Sequence, residues 1–222
     1  MTHDPPITQV SSDPPLIAIL DYGIGNLHSA HKGFNHAGAD ARLTADRGLI
    51  AAAKGVVLPG VGAFEPCMAA LGESGLDEVA MDRIDAGVPF FGICIGMQVL
   101  FAGSDEAPDC SGLGFFDGRV REIPPSVKRP QMQWNMLDTR VPDHPMFDSL
   151  ERRPWVYFVH SYSADNGVDV LATCDYGNDL VAAAGRDNVW ACQFHPEKSG
   201  RNGIQILENF VDAARVGSGA MV

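Results

Sequence analysis

Long apolar runs are missing from this 222-residue chain: none approaches the roughly 20 residues that a helix needs to cross a bilayer. Its start, MTHDPPITQVSSDPP, lacks the basic onset and apolar centre of a secretory signal, so a cytoplasmic protein is expected. Basic residues are scarce, 16 Lys and Arg against 28 Asp and Glu, and a net charge of −12 repels phosphate backbones. Neither nucleic acid nor a membrane is an expected partner. The five cysteines (Cys67, Cys94, Cys110, Cys174, Cys192) are odd in number and never spaced C-x-x-C. That pattern argues against a disulfide framework and against a thiolate metal site. No His, Asp or Glu set has a ligand spacing such as H-x-x-x-H, and neither a metal nor a cofactor is expected. Internal repeats are absent as well.

What is present suits one globular domain, with 45% apolar and 20% charged residues. The domain is expected over residues 15–216. Residues 1–14, with three prolines and a fourth following at Pro15, hold too few apolar side chains to offset the entropy of ordering and predict a mobile tail. LIAILD (16–21) reads as a buried strand, followed by a helix from Asn26 to about Ala37. DARLT and GVVLP are further strands, RGLIAAA a helix, 64–72 and 76–86 helices, and VPFFGI a strand. This alternation predicts an α/β fold with a central, mostly parallel, twisted sheet flanked by helices. From about residue 115 strand-like runs follow closely, separated by turn signals such as Asp117-Gly118 and Asp187-Asn188. They predict additional antiparallel strands in the same sheet region. Ile204, Ile206, Leu207, Phe210 and Val211 mark an amphipathic C-terminal helix.

PFFGICIGMQVLF (89–101) is an apolar strand that breaks at a thiol and resumes as a helix. A residue on such a turn projects into the crevice at the carboxyl edge of a parallel sheet. Gly92 and Gly96 permit a tight turn there. A helix beginning near Gly96 would direct free N–H groups at the Cys94 sulfur, favouring thiolate over thiol and offering donors for an oxyanion. By itself G-x-C-x-G leaves open a small buried hydrophobe. A thiolate nucleophile for acyl transfer needs a base and a group that orients it. His195 ends an apolar strand in WACQFHPEKSG, and in extended chain residues i and i+2 share a face, which sets Glu197 beside the ring. The other histidines have no such partner, and His160 in YFVHSY reads as a wall of the site.

These residues resemble the class I, triad-type glutamine amidotransferases. DYGIGNLHS (21–29), LPGVGAF (58–64), PQMQWN (130–135), YFVHSY (157–162) and QFHPEKSG (193–200) are similar to the branch that forms the glutaminase subunit of imidazole glycerol phosphate synthase. The likeness runs from about residue 16 to 214. It implies Cys94 as nucleophile, His195 as general base and then acid, and Glu197 as orienting carboxylate. It further implies glutamine binding by Gly62, Gln98, Tyr157 and Ser161, and oxyanion donors from Ile95 and from the Val61 and Gly62 segment. The partner it implies is a (β/α)₈-barrel cyclase, met at Asn26, Trp134 and Lys198. Gln131 and Gln133 stand where the family usually has His and Gly, and a side chain at 133 excludes any backbone shape open only to glycine. A different amidotransferase of the class, a lone cysteine hydrolase and a silent scaffold are the competing readings.

Overall fold

A computed structural model describes residues 13–167 and 169–217, so the expected tail falls, apart from Asp13 and Pro14, outside the described residues. The first half alternates as its pattern dictates: β1 (Leu16–Leu20), α1 (Leu27–His36), β2 (Asp40–Thr44), α2 (Arg47–Ala52), β3 (Gly55–Gly60), α3 (Phe64–Ser74), α4 (Leu76–Asp85) and β4 (Phe90–Cys94). Every residue of β3 and β4 is buried, as uninterrupted apolar strands covered on both faces should be. Asp46 starts α2 by accepting the Leu49 N–H at 2.7 Å. Gly75, at φ 64°, both ends α3 and opens α4, a left-handed position that suits glycine. Asn26 sits at the N-cap of α1, which begins one residue later than its pattern indicates.

The second half is α5 (Ile95–Gln98), β5 (Gly103–Ser104), β6 (Ala107–Ser111), β7 (Val120–Glu122), β8 (Gln131–Met136), β9 (Asp138–Thr139), β10 (Trp155–His160), β11 (Tyr162–Ala164), β12 (Val170–Asp175), β13 (Asp179–Arg186), β14 (Val189–Cys192) and α6 (Gly200–Val216). The main sheet runs β2-β1-β3-β4-β14-β13-β12-β9. Its first five strands are parallel, and β13, β12 and β9 continue it antiparallel.

Two expectations need correcting. β14 runs parallel to β4, because the β13–β14 hairpin turns it back alongside the parallel half. Furthermore, β8 and β10 form a sheet of their own, and β11, β7, β5 and β6 form a third. β10 alternates buried and outward residues, the pattern of a ribbon with one covered face rather than a strand inside a two-sided sheet. Helices α1 and α6 close one face of the main sheet through an aromatic cluster, where Phe34 meets Phe91 edge-on at 6.4 Å and Phe91, Trp190 and Phe210 interlock at 5.2–6.3 Å. No helix of the described residues is long and apolar enough to cross a membrane.

Candidate active site

Cys94 closes β4 in a backbone conformation that side-chain-bearing residues seldom take, φ 57° and ψ −111°. The chain enters α5 at the next residue, Ile95, one position earlier than its pattern indicates, and α5 is a single turn. Its glycines have a steric reason. A Cβ on Gly96 would overlap the Leu58 carbonyl of β3, and one on Gly92 would lie 2.7 Å from the Gly96 carbonyl oxygen. The elbow therefore lies directly against the neighbouring strand.

His195 follows β14 at the same edge of the sheet, in extended conformation (φ −102°, ψ 97°), and Pro196–Lys198 then form a single 3₁₀ turn. Glu197 thus reaches the ring by a turn and not along an extended strand, which corrects the geometry expected from sequence. The Lys198 N–H (3.0 Å) and the Ser199 hydroxyl (2.6 Å) both donate to the His195 carbonyl and close that turn. Nδ1 of His195 lies 2.9 Å from Glu197 Oε1, both side chains being almost wholly buried. An acceptor at Nδ1 places a proton there and directs Nε2 to the thiol. Burial pulls the ring's pKa down, but hydrogen bonds with Cys94 and Glu197 and their charges outweigh it and hold the ring at about 9. A raised value favours the protonated ring at neutral pH.

Cys94 and His195 open on a cavity of about 340 Å³ whose walls include Val61, Gly62, Ile95, Gln98 and Ser161. Tyr157, expected there, is not among the lining residues. Its ring stacks edge-on against Trp134 at 6.0 Å, and its carbonyl accepts the His195 N–H at 3.0 Å. Two unexpected polar features mark the cavity wall. Glu106 is the one carboxylate among the lining residues, its Oε2 accepting the Phe64 N–H at the start of α3 at 2.9 Å. Nothing in sequence singles it out, since it sits in the turn between two short strands that lack a strand-like pattern. Gln98 donates through Nε2 to the Tyr162 carbonyl (3.2 Å) and to Gln193 Oε1 (2.9 Å), leaving its own Oε1 buried without a partner.

His160 also lines the cavity, Nδ1 donating to the Tyr162 carbonyl at 2.7 Å and Nε2 lying 2.9 Å from the Gln131 carboxamide; burial lowers its pKa to about 4. The Val61 carbonyl accepts the Cys67 thiol at 3.5 Å, so this peptide oxygen faces α3. By peptide planarity the Gly62 N–H points the opposite way.

Of the three residues expected at an interface, Asn26 borders a narrow crevice behind the His195–Glu197 pair, where Glu197 Oε2 has no partner. Lys198 is exposed. Trp134 is 46% exposed and belongs to an outward ladder on β8 and β10, opposite Tyr157 and beside Met132 (61%) and Trp155 (48%). Gln133, where the family usually has glycine, takes an ordinary strand conformation. Among the described residues no group of three His, Cys, Asp or Glu could hold a metal.

Comparison with known proteins places the chain in a family. The family model "Glutamine amidotransferase class-I" matches residues 18–214. The imidazole glycerol phosphate synthase subunit HisH of Synechococcus elongatus is 47% identical over 202 residues, covering 89% of this chain and 93% of that protein. The HisH of Methanothermobacter thermautotrophicus is 48% identical, covering 90% and 100%. Among solved structures, a glutamine amidotransferase matches with TM-score 0.71 at 19% identity over 89% of this chain and 98% of that one. PurLQS from Thermotoga maritima matches with TM-score 0.71 at 18% over 90% and 98%. These last two are likenesses of fold.

Proposed function

Because this chain belongs to the class-I glutamine amidotransferase family, we propose that it is the glutaminase subunit of an imidazole glycerol phosphate synthase, acting in the cytoplasm in histidine biosynthesis. It hydrolyses glutamine to glutamate and ammonia and passes the ammonia to a (β/α)₈-barrel cyclase. The observation that carries the chemistry is one buried ring, His195, bonded to Glu197 at 2.9 Å and electrostatically coupled to Cys94, with which it lines a cavity of about 340 Å³.

The Cys94 thiolate attacks the γ-carbonyl of glutamine. The developing oxyanion is received by the Ile95 N–H and by a donor from the Val61 and Gly62 segment. The protonated His195 ring gives its proton to the departing ammonia, and the neutral ring then removes one from the water that hydrolyses the γ-glutamyl thioester. Glu197 holds the ring in the required tautomer. The Glu106 carboxylate is placed for the α-ammonium of the substrate and the free Gln98 Oε1 for one of its N–H donors, with Gly62 and Ser161 completing the pocket. Tyr157, off the cavity wall, positions His195 through its carbonyl instead of touching glutamine.

Ammonia is mostly ammonium at neutral pH, which is not nucleophilic, so delivery must be sealed. The exposed Trp134 ladder, continuous through Val159 with the cavity wall, supports an apolar docking face, with Asn26 and Lys198 at the same interface. In complex with the cyclase, Cys94→Ala abolishes glutamine-dependent turnover while added ammonia still supports it. Retained glutaminase activity in that variant removes Cys94 as nucleophile.

A further inference from the structure

Gln193 takes no part in the chemistry above, yet it is fully buried, where a primary amide must pair its polar atoms inside the protein. It lies just past β14, its backbone N–H on the Ala182 carbonyl at 2.9 Å. Its Oε1 accepts from Gln98 Nε2 at 2.9 Å, and its Nε2 lies 3.8 Å from the Cys94 sulfur. Chemistry dictates this orientation. The Tyr162 carbonyl can only accept, so the Gln98 atom 3.2 Å from it must be the amide nitrogen. The Gln193 atom facing that nitrogen must then be the oxygen, which turns the Gln193 NH₂ to the sulfur.

We propose that Gln193 is a catalytic residue that donates an N–H to the Cys94 sulfur and favours the thiolate, locked in that direction by Gln98 of the glutamine pocket. The inference rests on Cys94 being the nucleophile of the amidotransferase reaction. A thiolate accepts a hydrogen bond more strongly than a thiol does, so a fixed donor stabilises the charged form. His195 approaches from the turn after β14, with Glu197 behind it, and Gln193 supplies a second, uncharged donor. Glu106, His160 and Tyr162 share the cavity wall with the sulfur, and Tyr22 after β1, Cys67 on α3 and Cys192 on β14 lie on its protein side. Burial pushes Tyr22, Cys67 and Cys192 upward and keeps them neutral. The relay also has a direction. Both hydrogens of the Gln98 amide are committed to Tyr162 and Gln193, so its unpartnered Oε1 is the end left for the ligand. A ligand bonded there is connected through one further side chain to the nucleophile.

The test is the rate of Cys94 alkylation by iodoacetamide as a function of pH on the full chain, together with glutamine hydrolysis in the complex with the cyclase. Gln193→Met keeps length and volume but removes the donor. It is expected to move the acid-side midpoint of alkylation up by about one pH unit and to lower kcat about tenfold, with KM changed less than about twofold. Gln193→Glu, which sets a carboxylate beside the sulfur, moves the midpoint further. A Gln193→Met midpoint within about 0.2 pH units of the parent, well below the expected shift, overturns the proposal. If Gln193→Met does not fold, Gln98→Met decides: it frees the Gln193 carboxamide to rotate and must move the midpoint the same way by less, an unchanged profile overturning the proposal. Alkylation needs no glutamine. Absence of glutaminase activity in the parent complex would therefore refute the functional reading while leaving the Gln193 measurement intact.

Discussion

Glycines 96 and 62 flank the same nucleophile for opposite reasons. A Cβ at 96 would collide with the Leu58 carbonyl, whereas one at 62 would meet nothing within 4 Å but would sit at φ +95°. Gly96→Ala should therefore cost about 4 kcal/mol or more, read as a lowered urea midpoint, because backbone must move. Gly62→Ala should cost only about 1–2 kcal/mol of backbone strain, yet lower glutaminase activity by displacing the oxyanion segment. His195 sets a pH dependence. Its pKa is about 9 in the folded chain against an ordinary 6.5, so folding tightens the hold on this proton. The stability so gained is complete below pH 6.5 and lost as pH rises through about 9. Melting temperatures across that window should fall in the parent and fall less in Glu197→Gln, which removes the charge that favours the imidazolium. Cys94, His195 and Glu197 stand out in sequence because each lies in a local pattern of unusual residues. Gln193 and Glu106 do not, because their neighbours, Gln98, Tyr162 and Phe64, come from other elements.

Among the elements, β8 and β10 depart furthest from the expected sheet, and their outward face is where a partner is proposed. Trp134→Ala should weaken binding to the cyclase by tenfold or more in a calorimetric titration, as loss of an exposed aromatic anchor does. Because Trp134 is 46% exposed, the melting temperature should stay within about 3 °C of the parent. Loss of stability without loss of affinity would assign Trp134 to the fold alone. The long strands and helices of the first half were legible, since uninterrupted apolar runs and 3.6-residue patterns persist over whole elements. β5 and β6 were not: one is two residues long, the other reads APDCS, and neither carries a two-residue alternation. Which sheet a legible strand joins was equally hidden, because β8 pairs with β10 across an intervening stretch that carries no pairing signal.

Across the whole molecule, two histidines oppose acid, the buried His160 and the half-buried His144. Burial lowers both His144 and His160 to about 4, below the ordinary 6.5, so the folded chain resists protonating them. The stability they support is present above pH 6.5 and lost as pH falls through about 4. The urea midpoint should drop between pH 7 and pH 5. His160→Gln, although less stable at pH 7, should show a shallower drop; an equal slope would remove His160 from the acid response. The amino-acid sequence by itself determined the order of strands and helices through most of the first half, the glycines that admit a sharp elbow, and the acidic surface, because each depends on neighbours in the chain or on composition alone. Only the tertiary structure decided that β14 lies parallel beside β4, that His195 therefore faces Cys94, that Gln98 and Glu106 share their cavity, and that Gln193 joins Gln98 to the sulfur. Contacts between residues so far apart in the chain follow from strand order, and strand order is set by how all the buried faces pack at once, which no single stretch of sequence encodes.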